Sequence, residues 1–139
     1  MSQSDAAAIR RCLELVYHDA GVAPEATGYV NAHATSTVQG DREEAAALRE
    51  FFGGCVPVSS LKGNLGHTLG ASGGIELIAS LEMMAHSELL PTLNLEHPAE
   101  DCAGLDHVQR LRSHEFEVFL KNSFAFGGIN ATLLCSKYQ

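Results

Sequence analysis

Two short apolar runs, residues 28–32 and 56–60, each end in a segment of small and hydroxylated residues that carries a histidine, and a helical pattern follows each. A strand, then a histidine, then a helix, met twice, constrains the chain to an α/β architecture, because strands alternating with helical segments pack as a sheet covered by helices. The same order marks where function should sit. Substrates meet open α/β sheets outside the carboxyl ends of the strands, which is where His33 and His67 stand.

The helices are read from apolar spacing and from their ends. Ala7, Ile9, Leu13, Val16 and Tyr17 share a face, and the pattern stops at Gly21 with Pro24 beyond it, which predicts a helix over 5–20. Asp41, with Glu44 three residues later, predicts a capped start and a second helix over 41–52, ended by Gly53-Gly54. A third helix is expected over 72–87. The last third changes character: 90–95 and 98–104 read as extended loop, and 116–123 and 130–135 as strands. Between those strands, Phe124-Ala-Phe126-Gly127-Gly128-Ile129 suits a tight hairpin. With 139 residues and 45% hydrophobic content, one core and a single domain over 1–139 are expected.

Charge and cysteine usage exclude several function classes. Nine basic against 17 acidic residues give a formal charge of −8, a poor surface for phosphate backbones, so nucleic acid is not an expected partner. No run approaches about 18 apolar residues, and no membrane span is expected. Cys12, Cys55, Cys102 and Cys135 are scattered without Cys-x-x-Cys spacing, and the amino terminus lacks the basic start and apolar stretch of a leader. Reduced thiols and a cytoplasmic location are therefore the expectation.

Chemistry concentrates around the two histidines. His33 lies in Asn31-Ala-His33-Ala34-Thr35-Ser-Thr37, and His67 in Ser60-Leu61-Lys62-Gly-Asn-Leu-Gly66-His67-Thr-Leu-Gly70-Ala-Ser-Gly73. Imidazole can polarise a carbonyl near neutral pH, and small neighbours let a substrate approach closely. A lysine nearby favours neutral imidazoles, since a second positive charge is repelled. Plainer readings stand beside these: a histidine at a strand end is more often structural, Lys62 alone could be a surface charge, and Phe126 alone a core aromatic. Zinc held by His33, His67 and a cysteine lacks any short ligand spacing, so no metal is expected. The glycine-rich run before the third helix lacks the Gly-Lys-Ser/Thr ending of a nucleotide loop. His18, His86, His97, His107 and His114 are expected to face solvent.

Together, Asn31-Ala-His33-Ala-Thr35-Ser-Thr37 with Gly40-Asp41, Ser59-Ser-Leu-Lys62 with Gly66-His67 and Gly70-Ala-Ser-Gly73, Pro91-Thr-Leu-Asn94-Leu, and Asn122-Ser-Phe124-Ala-Phe126-Gly-Gly128-Ile-Asn130 resemble the carboxyl-terminal half of the β-ketoacyl synthases. These are condensing enzymes of fatty-acid and polyketide synthesis with the thiolase-like fold. The resemblance implies an α/β fold whose mixed sheet is packed with helices. It further implies that His33 and His67 flank the malonyl thioester carbonyl and stabilise the charge that develops on decarboxylation, and that Lys62, paired with Glu76, holds the second histidine. Thr35 and Thr37 match hydroxyls that receive a phosphopantetheine arm. Phe126 matches an aromatic gate, and Gly127 and Gly128 help shape the oxyanion site. No cofactor is expected on the chain itself, because the substrates ride on the phosphopantetheine of acyl carrier protein, the implied partner. Ala34 and Ala125 stand where glycine is commoner, and Leu61 and Ile129 replace threonines of the pattern.

One part of that chemistry is absent. The family acylates a cysteine in its amino-terminal half, and none of the four cysteines here fits: Cys12 falls in a helix, Cys135 in the last strand, Cys102 beside the charge of Asp101, and Cys55 before an ordinary buried strand. The chain thus reads as half an acyltransferase, a fragment or one subunit of a split synthase, expected to be inactive in condensation alone. It should also expose apolar surface that an amino-terminal half or a second copy would cover. The alternative is a noncatalytic partner that keeps the scaffold for heterodimerisation or chain-length control.

Overall fold

The computed structural model describes residues 5–138. In chain order its elements are α1 (Ala6–Ala20), β1 (Tyr29–Asn31), α2 (Val38–Phe52), β2 (Pro57–Ser59), the single-turn α3 (Lys62–Leu65), α4 (Ser72–His86), β3 (Glu88–Leu89), β4 (Asp106–His107), β5 (Arg112–Ser113), β6 (Val118–Ala125) and β7 (Ile129–Ser136). Asp5 caps α1 by accepting the Ala8 amide, and Gly21 ends it in the left-handed conformation. The helix turns Ile9, Leu13 and Tyr17 inward.

The expected start of the second helix is corrected. Thr37, not Asp41, is the residue before its first turn, so α2 begins at Val38 and Asp41 lies inside it. Asp41 faces the backbone of Thr37, Ser36 and Thr35 instead. Glu44, the expected reciprocal cap, is buried and reaches back to the end of β1. The short β3, β4 and β5 fall in or beside stretches whose lack of apolar alternation hid them.

Five strands form a mixed sheet in the order β4-β2-β1-β6-β7, with β3 and β5 making a separate antiparallel pair. β1 is central, parallel to β2 and β6, and β6 turns into antiparallel β7. Successive side chains on a strand face opposite layers, which divides the core in two. Val30, Ala32, Val58 and Leu120 pack with Leu13, Tyr17 and Leu48 on the α1/α2 side. Tyr29 and Phe119 pack with Leu61, Met83, Leu89, Val108 and Phe116 on the other. Leu61 is therefore a fully buried core residue, which accounts for an apolar side chain where the family pattern has a hydroxyl.

α4 is inverted relative to an ordinary surface helix. It turns Ser72, Glu76, Ser80 and Met83 inward, while Ile75, Ile78 and Leu81 are exposed. Ile129 and Leu133 of β7, with Leu69 and Phe126, add further exposed apolar side chains. No helix among the described residues is long and apolar enough to cross a membrane. His107 and His114 depart from expectation: both are half-buried, with ring nitrogens at 2.9 Å from the Cys102 and Gly28 carbonyls respectively.

Candidate active site at the carboxyl ends of the central strands

β1 and β2 deliver His33 and Lys62 to the same end of the sheet, and the loop ahead of α4 brings His67 over them. The two imidazoles meet edge to face with ring centroids 5.9 Å apart. Backbone anchors hold the ends of the strands together: the Ser60 hydroxyl donates to the Ala34 carbonyl at 2.8 Å, and the Ser60 amide donates to Thr92 Oγ1 at 2.9 Å. Gly63 is required here, since a Cβ would lie 2.6 Å from the Leu93 carbonyl oxygen. That close approach seats α3, and with it Lys62.

His33 is positioned from behind. The Glu44 carboxylate accepts the His33 amide at 2.9 Å, the Ala34 amide at 2.8 Å and the Asn122 side-chain amide at 2.9 Å. Burial pushes the Glu44 carboxyl above its usual range, opposed by those donors and by Lys121. The His33 ring is held down to about 4 by burial first and then by the positive charges of Lys62 and Lys121, so it is neutral at pH 7.

The tautomer of His67 follows from its neighbours. The Leu69 backbone N–H can only donate, and it points at Nδ1 from 3.3 Å, with Ser72 Oγ at 3.1 Å from the same nitrogen. Nδ1 is then the acceptor and Nε2 carries the hydrogen, which makes Nε2 the donor available to a substrate. Leu69 (φ 53) and Ser36 (φ 63) adopt left-handed backbone, an unfavourable state for a residue with a Cβ that here accompanies each histidine loop.

Behind the pair sits a buried ionic cluster. Lys62 Nζ lies 2.7 Å from Glu76 Oε1, and Lys121 Nζ lies 2.7 Å from Glu76 Oε2. Both distances are those of close, charge-assisted ion pairs. Burial lowers the affinity of Lys121 for its proton, and Glu76 opposes that effect.

The structure thus brings His33, His67, Lys62 and Glu76 into one cluster, while Thr35 and Thr37, in the segment after His33, have their hydroxyls 3.3 Å apart. Phe126 is not at the pair: it is 77% exposed at the tip of the β6/β7 hairpin, next to Gly127 and Gly128, both at positive φ. Phe124 takes the position against His33 instead, with ring centroids 5.4 Å apart. Glu44 was read only as a helix cap and Lys121 was not singled out, although a lysine in the apolar run Val118-Phe-Leu-Lys121 was a usable signal. All four cysteines are free thiols. Among the described residues no group of three His, Cys, Asp or Glu side chains could hold a metal ion. A cavity of about 320 Å³ opens beyond Thr37, between α2 and the segment before β4, and neither His33 nor His67 lines it.

A mixed sheet with two histidines meeting beyond the carboxyl ends of its central strands, and a buried lysine–glutamate pair beside them, defines the carboxyl-terminal part of a thiolase-like ketosynthase. The chain belongs to the β-ketoacyl synthase C-terminal domain family, whose model matches residues 1–96. It is 42% identical over 133 residues to 3-oxoacyl-[acyl-carrier-protein] synthase 2 of Synechocystis sp., covering 93% of this chain and 32% of that protein. The crystal structure of a β-ketoacyl synthase from Burkholderia phymatum superposes with a TM-score of 0.96 at 41% identity, over 100% of this chain and 34% of that one. A ketosynthase structure described as a type II polyketide synthase acyl-carrier protein in complex with its ketosynthase bound to the hexaketide superposes with a TM-score of 0.92 at 30% identity, over 100% and 35%. The chain therefore spans about a third of the length of the relatives it matches.

Proposed function

We propose that this chain supplies the decarboxylation half of a 3-oxoacyl synthase site, working with a nucleophilic cysteine contributed by a part of the protein that its 139 residues do not include. In this reading a malonyl thioester carried by acyl carrier protein enters past Thr35 and Thr37, whose hydroxyls suit the amide-rich phosphopantetheine arm. The neutral His33 ring and the Nε2–H of His67 donate to the thioester oxygen. The bond from the α-carbon to the carboxylate breaks, carbon dioxide leaves, and the electron pair is held as an enolate by the two N–H groups. The enolate carbon then attacks the acyl thioester on the cysteine and expels the thiolate. Lys62 and Glu76 keep a fixed charge beneath the rings, and Gly127 and Gly128 let the hairpin approach the oxyanion.

The observation that carries this reading is the convergence of two imidazoles, 5.9 Å apart, above the buried Lys62–Glu76 pair. The exposed face of α4, with Ile75, Ile78 and Leu81, supports an amino-terminal half, or a second copy, as the covering partner. The test is carbon dioxide release from malonyl-carrier protein by the complete protein. His33→Ala and His67→Ala should each lower the rate by about 100-fold or more, while the 139-residue chain alone forms no condensation product. Full decarboxylation in either histidine variant, or condensation by the isolated chain, refutes the proposal.

A further inference from the structure

We propose that Lys121 is a positioning residue of this site, a second buried ammonium that shares the Glu76 carboxylate with Lys62 and sustains the electrostatic setting in which His33 acts as a neutral donor. The inference deepens the decarboxylation reading and rests on it. Lys121 lies in the middle of β6, paired in register with Asn31 of β1, and it is 1% exposed. A lysine is rarely placed there without a charge to meet.

Its partners account for the placement. Nζ donates to the Asn122 carbonyl and, at 3.3 Å, to Ser123 Oγ, and it meets Glu76 Oε2 at 2.7 Å while Lys62 occupies Oε1. One carboxylate is thereby divided between two cations. Glu44, from α2, brings a second buried carboxylate against the His33 amide and interacts with Lys121 as well. Lys62, Lys121, Glu76 and Glu44 together sum to zero charge. Without Lys121 they sum to −1 beside His33, and a net negative charge favours the imidazolium over the neutral ring.

The groups that face His33 are Lys62 of α3, Glu76 of α4, Lys121 of β6, Glu44 of α2 and His67 of the preceding loop. Both lysines and His67 act on the ring in one direction, and Glu76 in the other. Burial and Lys62 act on the ring ahead of Lys121, and the shared Glu76 carboxylate cancels part of the Lys62 field. Lys121 answers that cancellation. During decarboxylation the same cation opposes the negative charge that builds on the thioester oxygen.

The experiment is a pH titration of the imidazoles by NMR in the 139-residue chain, with Lys121→Gln and Lys121→Arg beside wild type. Gln keeps a donor for the Asn122 carbonyl but removes the charge. Arg keeps the charge. The His33 midpoint should rise by about one pH unit in Lys121→Gln, a tenfold gain in proton affinity, and return toward wild type in Lys121→Arg. A folded Lys121→Gln chain with an unmoved midpoint overturns the inference. ¹⁵N-lysine spectra of the wild type give a check independent of any variant: an uncharged Lys121 amine at pH 7 overturns it too. In the complete protein the acid limb of malonyl decarboxylation should move up by about the same unit in Lys121→Gln. A wild-type protein that does not decarboxylate sinks the functional reading, whereas an active wild type whose pH profile Lys121→Gln leaves in place sinks the role of Lys121 alone.

Discussion

Glu44→Gln isolates the brace behind His33. The carboxylate serves three donors, the His33 and Ala34 amides and the Asn122 side chain, at 2.8 to 2.9 Å. A glutamine offers one acceptor oxygen and one NH₂ group, so one of the two backbone amides must face another donor. A buried donor left unpaired costs about 1–3 kcal/mol, and the remaining bonds lose their charge assistance. Relief from burying a carboxylate works the other way, offset in part because Lys121 loses a counter-charge. The net is a loss of about 2 kcal/mol. At the unfolding entropy of a chain this size, about 3.5 °C per kcal/mol, the midpoint should drop by about 7 °C. Glu44→Ala abandons all three donors and should cost about twice as much. Thermal unfolding followed by circular dichroism reads both. A Glu44→Gln midpoint within about 2 °C of wild type, with Glu44→Ala no worse, would refute the claim that this carboxylate satisfies those groups.

Other expectations follow from the same geometry. His33 binds its proton less readily folded than unfolded, so its contribution to stability is present above pH 6.5 and is lost as pH falls toward about 4. Thermal midpoints should decline across that window, and His33→Gln should flatten part of the decline; an unchanged slope rules the assignment out. Gly63→Ala drives a Cβ into the Leu93 backbone and should destabilise by about 1–3 kcal/mol, whereas Gly70→Ala meets nothing within 4 Å and serves as the control in chemical denaturation. Ile78→Glu, on the exposed face of α4, should leave the melting temperature of the chain within about 2 °C and abolish its self-association in size-exclusion chromatography. Retained association would direct attention away from that face.

Several features were legible in the amino-acid order because they depend on neighbours in the chain. α1 ends where Gly21 permits left-handed backbone, and the apolar run ahead of His33 placed it just past the end of β1; His67, read as following the next strand, is instead carried by the loop between α3 and α4. Side-chain periodicity is a local property, so strands and helices follow from it. The hairpin residues Gly127 and Gly128 likewise carry positive φ, as two glycines between apolar runs suggest.

What lay beyond sequence is the pairing of groups far apart along the chain. Asp41 and Glu44 have the spacing of a helix cap, yet Glu44 turns inward because the end of β1 offers two backbone amides with no other partner. Of the two phenylalanines in the hairpin motif, Phe124 lies within β6 and packs against His33, whereas β6 ends at Ala125 and leaves Phe126 in the exposed turn. The inward face of α4 is polar because the strand it covers carries a lysine, a compensation that only three-dimensional packing can specify. Local stereochemistry determined the elements and the imidazoles at their ends; the buried charges that govern those imidazoles were decided by tertiary contact, since Coulomb interaction depends on distance in space and not on separation along the chain.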